Sequence, residues 1–446
     1  MKKLLIAFLL FFYSQSKSQE VLSLRNQAVI TNEILSDRFT HLLPKLMQRE
    51  GIDMWVLISR EYNEDPILKT MLPAEWLSAR RRTMIVFYYD SAKKINEQLA
   101  IARYNVGEQI KAAWDMKQFP DQWDALIDLI TKRNPKKIGL NYSTDFAHAD
   151  GMSSTEHAIF LQKLPKIYQT KVVSAEKLGV AWLETRTERE MQLYPQLIQI
   201  THQIIAEGFS EKTIMPGVTT TDDLVWWFRQ RIRNLGLDTW FHTSVAIQRN
   251  DPENFEHLRA FSNRPKEEVI LAGDLLHVDI GISYLRLNTD IQEHAYVLQP
   301  GETAAPIELQ KAFTKANRLQ DILTSAYIIG RTGNQILKTA LDQAKKEGIE
   351  ASIYTHPIGY HGHAAGPTVG LWDQQNGVPG SGDFPLHYNT AYSIELNAST
   401  EITAWKKSIR IMLEEDGFFS EKGFRFIGGR QKELLLVPRQ TTTLGN

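Results

Sequence analysis

An α+β fold is predicted for the second half of this 446-residue chain, with a smaller α/β unit ahead of it. Three observations carry that prediction. Helical and strand-like stretches alternate up to about residue 180, whereas beyond it amphipathic helices lie between sets of strands able to pair antiparallel. The roughly 430 residues that follow an apolar leader suffice for two domains. A hydrophobic content of 43% with 23% charged residues is that of a globular chain with a sizeable core.

Residues 1–19 open with Lys2 and Lys3, continue in an apolar run from Leu4 to Tyr13 and end in a short polar tail. The run is too short to cross a bilayer, and the pattern is that of a secretory signal peptide. The expectation is a protein exported across the inner membrane, periplasmic in a Gram-negative cell and otherwise extracellular, with no membrane association once the leader is removed. The chain has no cysteine, which excludes disulfides, thiolate zinc sites and a cysteine nucleophile. A net charge of −1 lacks the electrostatic footprint of a nucleic-acid binder.

Residues 20–180 form the expected α/β domain. Helices are predicted over Ile30–Gln48 and Asp121–Lys132, and strands over Met54–Ile58, Met84–Tyr89, Leu99–Ala102 and Lys137–Leu140. This unit shows no constellation of reactive side chains. Residues 181–446 form the second domain, whose first helix begins at Thr187 and keeps Tyr194, Leu197, Ile198, Thr201, Ile204 and Ile205 at helical spacing. A second helix starts in the capping run Thr219–Asp223 and stops at Gly236, the left-handed C-terminal position. Two strands follow within Gly273–Val297, turning about Tyr284 and Leu285. Helices over Ile307–Tyr327 and Asn334–Lys346 come next, then strands over Ala391–Ala398, Ser408–Glu414 and Leu434–Val437.

The chemistry collects in that second half. Asp279 and Asp290 stand eleven positions apart on the paired strands, and folding about Tyr284 and Leu285 sets their carboxylates opposite each other. Directly opposed like charges destabilise a strand pair, so a shared proton, a basic partner or metal ions must compensate. The segment from His356 to Gly366 holds histidines at 356, 361 and 363, out of twelve in the chain. Glu395 interrupts the apolar strand Tyr392–Leu396, and Glu414 and Glu415 end another apolar run, Ile409–Leu413; a carboxylate in such a place is costly unless paired.

In that order and spacing the residues resemble the pita-bread metallopeptidases: the methionine aminopeptidases, aminopeptidase P and prolidase. The pair Asp279 and Asp290, the motif H-x-I-G-x-x-x-H from His356 to His363, a strand glutamate and a final glutamate near an aspartate carry the resemblance, which covers about residues 185–437. It implies a creatinase/aminopeptidase-like catalytic domain behind an N-terminal domain of the Xaa-Pro branch. It further implies Asp279, Asp290, His356, Glu395 and a last glutamate as ligands of two divalent ions. The family reads R-I-E-D or R-I-E-E-D at that last ligand, whereas this chain reads Arg410-Ile411-Met412-Leu413-Glu414-Glu415-Asp416; alignment on Glu-Glu-Asp selects Glu414, with Glu415 the alternative. His363 matches the family's substrate-contacting histidine, and His257 falls where the family has another.

Four carboxylates and one imidazole suit Mn²⁺, with Co²⁺ or Zn²⁺ also able to bind. Two such ions neutralise the aspartate pair and lower the pKa of a bridging water, whose hydroxide attacks the scissile carbonyl while Glu395 carries the proton. The implied activity is removal of an N-terminal residue before proline from peptide substrates, by an enzyme whose relatives are commonly homodimers or larger assemblies. A creatinase-like amidinohydrolase, which lacks the ligands, and a non-catalytic binding protein of the same fold are the competing readings. Two departures are notable. The family usually carries an arginine within three residues of the second aspartate, where this chain has Glu293. No Lys or Arg lies between His363 and Glu395 to hold a dipeptide's free carboxylate, which favours longer peptides.

Overall fold

The computed structural model describes residues 21–250 and 268–439. The leader at 1–19 and His257 both lie outside the described residues.

The first unit is built on a mixed six-stranded sheet. Helix α1 (Leu24–Asp37) runs through a π turn at Arg38–Leu42 into α2 (Leu43–Glu50), so the helix expected from Ile30 starts earlier and carries an irregular turn. There follow β1 (Met54–Arg60), α3 (Pro66–Met71), β2 (Arg82–Asp90), β3 (Ile95–Ala100), β4 (Lys111–Ala112), α4 (Gln122–Arg133), β5 (Ile138–Leu140), α5 (Ser154–Lys163), α6 (Lys166–Gln169), β6 (Val172–Ser174) and α7 (Glu176–Glu184). The sheet order is β4-β3-β2-β1-β5-β6. Strand alternation sorts its side chains into two cores. Trp55, Leu57, Ile85 and Phe87 face α2 and α7, and Met54, Val56, Met84 and Val86 face α4 and α5.

Helix α8 (Glu188–Gly208) begins at a capping box in which Thr187 and Glu190 satisfy each other's backbone N–H groups, and α9 (Thr221–Asn234) begins at a second between Thr220 and Asp223. Gly236 follows α9 with φ of 75°, as its position predicts. Strand β7 (Ser244–Gln248) precedes β8 (Leu275–Ile280), β9 (Ser283–Tyr284), β10 (Leu287–Asn288) and β11 (Ile291–Val297). Helices α10 (Ile307–Ser325) and α11 (Gly333–Lys346) lead into β12 (Glu350–Ile353), β13 (His356–Pro357), β14 (Thr390–Ser393), β15 (Leu396–Ile402), β16 (Lys407–Leu413), β17 (Asp416–Ser420), β18 (Gly423–Phe426) and β19 (Leu435–Val437). The α8–α9 pair packs on the sheet β19-β11-β8-β7, and α10–α11 on the sheet β12-β15-β16; a further sheet, β13-β14-β17-β18, completes the α+β unit.

Two expectations are corrected here. The hairpin turns at Leu285 and Arg286, both with positive φ, rather than about Tyr284 and Leu285. In the resulting register Asp279 lies opposite Gln292, and Asp290 sits two residues before it, diagonal to Asp279 on the same face. The strand expected over Ala391–Ala398 is broken at Ile394–Glu395: β14 belongs to one sheet and β15 to another. The same crossing recurs between β12 and β13, just before His356, and between β16 and β17, at Glu414–Glu415.

Candidate metal centre

Those crossings put the reactive side chains together. A residue where a strand leaves one sheet for another escapes the in-and-out alternation of a regular strand, so Glu395 and Glu414 turn inward beside the hairpin that carries Asp279 and Asp290. An isolated bridge between Gln292 and Glu414 locks the hairpin to the last crossing, with Gln292 N–H donating to Glu414 O at 3.0 Å. One ligand atom each from Asp279, Asp290 and Glu414 lies within 4.8 Å of the others, and the same holds for His356, Glu395 and Glu414 and for Asp290, His356 and His363.

The centre is buried and strongly acidic. Asp290, His356, Glu395 and Glu414 are all buried, as is Asp416 behind them. Burial, then the charges of Glu414, Asp279, Glu395 and Asp416, raises the Asp290 carboxyl far above the usual carboxylate range. Burial followed by Glu414 and Asp279 does the same to Glu395, opposed in part by a hydrogen bond from Gln292. Asp416 is raised by burial and Glu414 while its Oδ2 accepts the Asp290 N–H at 3.2 Å. Without cations this site holds its carboxylates only by keeping protons on some of them.

His356 shows which compensation fits. Its Nδ1–H donates to the Pro357 carbonyl at 3.0 Å, which leaves Nε2 to face the centre. Nε2 is buried, has no hydrogen-bond partner among the described residues, and faces Asp290 Oδ2 at 3.5 Å and Glu414 Oε1 at 3.7 Å. A proton on that nitrogen or a cation held between it and the two carboxylates would satisfy all three groups. The tautomer locked by a backbone carbonyl is the one metal-binding histidines adopt, so the donor set fits divalent metal.

Side chains absent from the sequence-based reading complete the surroundings. The amide of Gln292 donates to Glu395 Oε1 at 2.7 Å and to Glu414 Oε2 at 2.6 Å, and its oxygen accepts from His277 Nε2 at 2.8 Å. Ser393 Oγ donates to Glu414 Oε1 at 2.5 Å. Gln292 shares strand parity with Asp290, but an uncharged amide there carries no signal that marks it as part of the site. Trp240 packs beside the hairpin: Nε1–H donates to the Thr289 carbonyl at 2.9 Å, and the indole lies 5.1 Å from the His363 ring. A Cβ at Gly281 or at Gly362 would overlap that indole, so both glycines are required by close approach.

His363 is solvent-accessible and stands edge-on to His356, ring centres 4.6 Å apart. Desolvation, then His356, pushes its pKa down to about 4, so the imidazole is neutral near pH 7. The first unit reaches this rim through His148, 4.5 Å from the His361 ring. Glu415, the alternative last ligand, turns away from the centre: its Oε2 accepts from His202 Nε2 at 2.9 Å, with Glu293 Oε1 at 3.6 Å from the same nitrogen.

The family model described as metallopeptidase family M24 matches residues 195–416. No curated protein matches the chain. Among solved structures, an X-Pro aminopeptidase from Thermotoga maritima is similar with a TM-score of 0.61 at 16% identity, covering 88% of this chain and 100% of that one. An Xaa-Pro dipeptidase from Bacillus anthracis gives 0.55 at 16% identity, with 92% and 99% covered. A prolidase from Pyrococcus furiosus gives 0.53 at 14% identity, with 87% and 99% covered. At these identities the likeness is one of fold.

Proposed function

This chain carries a metallopeptidase family M24 domain at residues 195–416, and on that premise we propose that it is an exported Xaa-Pro aminopeptidase working with two divalent ions, Mn²⁺ foremost. The observation that carries the reading is His356 Nε2, buried, with no hydrogen-bond partner among the described residues and facing both Asp290 and Glu414. Asp279, Asp290, His356, Glu395 and Glu414 are the residues that would hold the ions. When bound, the ions supply Lewis acidity that activates a water and polarises the scissile carbonyl.

The chain's own residues do the rest. Glu395, aligned by the Gln292 amide, takes the proton of the attacking water and passes it to the leaving proline nitrogen. Neutral His363 donates to the carbonyl oxygen as negative charge develops there. Trp240, beside His363, keeps bulk water from the bond being cut. His257 remains a proposed second substrate contact. The lack of Lys and Arg between His363 and Glu395 supports peptides longer than two residues.

The test is metal content of the purified protein, followed by release of the first residue from Xaa-Pro-Xaa and Xaa-Pro peptides with added Mn²⁺. Two ions and cleavage of the tripeptide are expected. Cleavage of the dipeptide alone would make the protein a prolidase, and failure to load metal would point to the amidinohydrolase reading.

A further inference from the structure

Next to the proposed pair lies a second group of potential ligands, formed by His202 on α8, Glu293 on β11 and Glu415 at the β16–β17 crossing. One ligand atom from each lies within 4.8 Å of the others. His202 Nε2 is 2.9 Å from Glu415 Oε2 and 3.6 Å from Glu293 Oε1. Donors around a four-coordinate zinc with bonds of ~2.0 Å stand about 3.3 Å apart, the edge of the tetrahedron. The two observed separations bracket that value.

Glu293 is the independent pointer to a ligand. It is 6% exposed, among the described residues its carboxylate makes no hydrogen bond, and the one ion pair it forms is the 3.6 Å approach to His202. Glu415 has one oxygen occupied by the Gln431 N–H at 2.8 Å, which leaves the other for the cluster. Charge accounting agrees. One imidazole stands against two buried carboxylates beside an already acidic centre, a donor set that a divalent cation would neutralise. The His202 side chain is 24% exposed, so a fourth position opens towards solvent and provides an entry path.

We propose that His202, Glu293 and Glu415 form a third metal site, separate from the catalytic pair, taking a borderline divalent cation such as Zn²⁺ with water in the open position. An imidazole with two carboxylates matches that ion's preferences. The ion would hold α8 against the hairpin and the last crossing.

The experiment strips the full-length protein with chelator, reloads it with Zn²⁺, removes free ion by dialysis and counts bound metal by mass spectrometry. Wild type is expected to hold one ion more than Glu293→Gln or His202→Gln. Glu293→Arg should also lose one ion and, unlike Glu293→Gln, melt in chelator no lower than metal-free wild type, because the new guanidinium faces Glu415. Asp290→Asn should lose the pair and keep the third ion. Equal stoichiometry in wild type, Glu293→Gln and Glu293→Arg would overturn the third site while leaving the pair intact. An ion lost in Glu293→Gln alongside no further ion lost in Asp290→Asn would uphold the third site and overturn the pair.

Discussion

At the residue scale the centre divides two adjacent glutamates between two environments. Glu414 is held by Gln292 and Ser393 among the proposed ligands, while Glu415 faces His202 on the other side. Glu414→Gln is therefore expected to release the catalytic metals and abolish turnover, and Glu415→Gln to retain the pair; metal content and peptide cleavage measured together decide this. Asp290→Ala should lose metal and activity together, whereas His363→Ala should keep metal and lower kcat by about 100-fold, the scale of a lost oxyanion donor. Asp290→Ala protein with full metal content would sink the assignment. The carboxylates Asp279, Glu395 and Glu414, proposed as ligands, stood out in the sequence because each interrupts or ends an apolar run where charge is expensive. Gln292 did not, since an uncharged amide on a strand carries no such penalty, and Glu414 could be separated from Glu415 only once the crossing was seen.

At the element scale the sequence pattern located helices well and strand breaks poorly. Capping residues at Thr187 and Thr220 marked helix starts that the structure reproduces within two residues. The break at Ile394–Glu395 left no trace in hydropathy, because Tyr392, Ile394 and Leu396 are all buried although the flanking strands join different sheets. The Asp hairpin turns one residue later than the sequence suggests. Leu285 and Arg286 both adopt positive φ, which a search for Gly, Asn or Asp does not detect. The tight packing of Trp240 on this hairpin gives a test at the same scale. Gly281→Ala should displace the indole, destabilise the fold by about 1–3 kcal/mol and raise KM, as thermal unfolding and steady-state kinetics with a tripeptide would show. Unchanged unfolding and KM would mean that Trp240 has room to move.

For the whole molecule, the junction between the two units is as informative as the centre. Arg38, in the π turn, is buried and donates to the Thr185 carbonyl and to Glu190, both at 2.9 Å, with its guanidinium 4.3 Å above Trp182. Nearby, Glu184 is 1% exposed, neither oxygen has a hydrogen-bond partner among the described residues, and Arg49 Nη2 is 3.9 Å away. Burial, partly offset by Arg49, pushes its carboxyl up to about 8. A folded-state pKa above the unfolded value means that the native state holds the extra proton. Stability is then full below about pH 4.5 for this group and falls as pH rises to about 8, by roughly 3–5 kcal/mol at ~1.4 kcal/mol per unit. Glu184→Gln should remove that slope; unfolding free energies at pH 5.5 and 8.5 would show the variant gaining on wild type at the higher pH. Identical slopes would show that Glu184 is already ionised at pH 5.5. The alternation of elements foretold this two-part build, but contacts between distant segments, which set the junction, have no local signature.

The strand crossings carry one more consequence. Since His356, Glu395 and Glu414 each lie where the chain passes between sheets, and the aspartates arrive from another sheet, ions held there would fasten three sheets at a single point. Such ions stabilise the folded form in proportion to the logarithm of their concentration over Kd, about 2.7 kcal/mol at a hundredfold excess. Chelation should therefore lower Tm as well as stop cleavage, and restored Mn²⁺ should recover both. In surroundings full of other proteases, scarcity of the ion would shorten the protein's lifetime, and its abundance would follow the local supply of metal without any dedicated sensor.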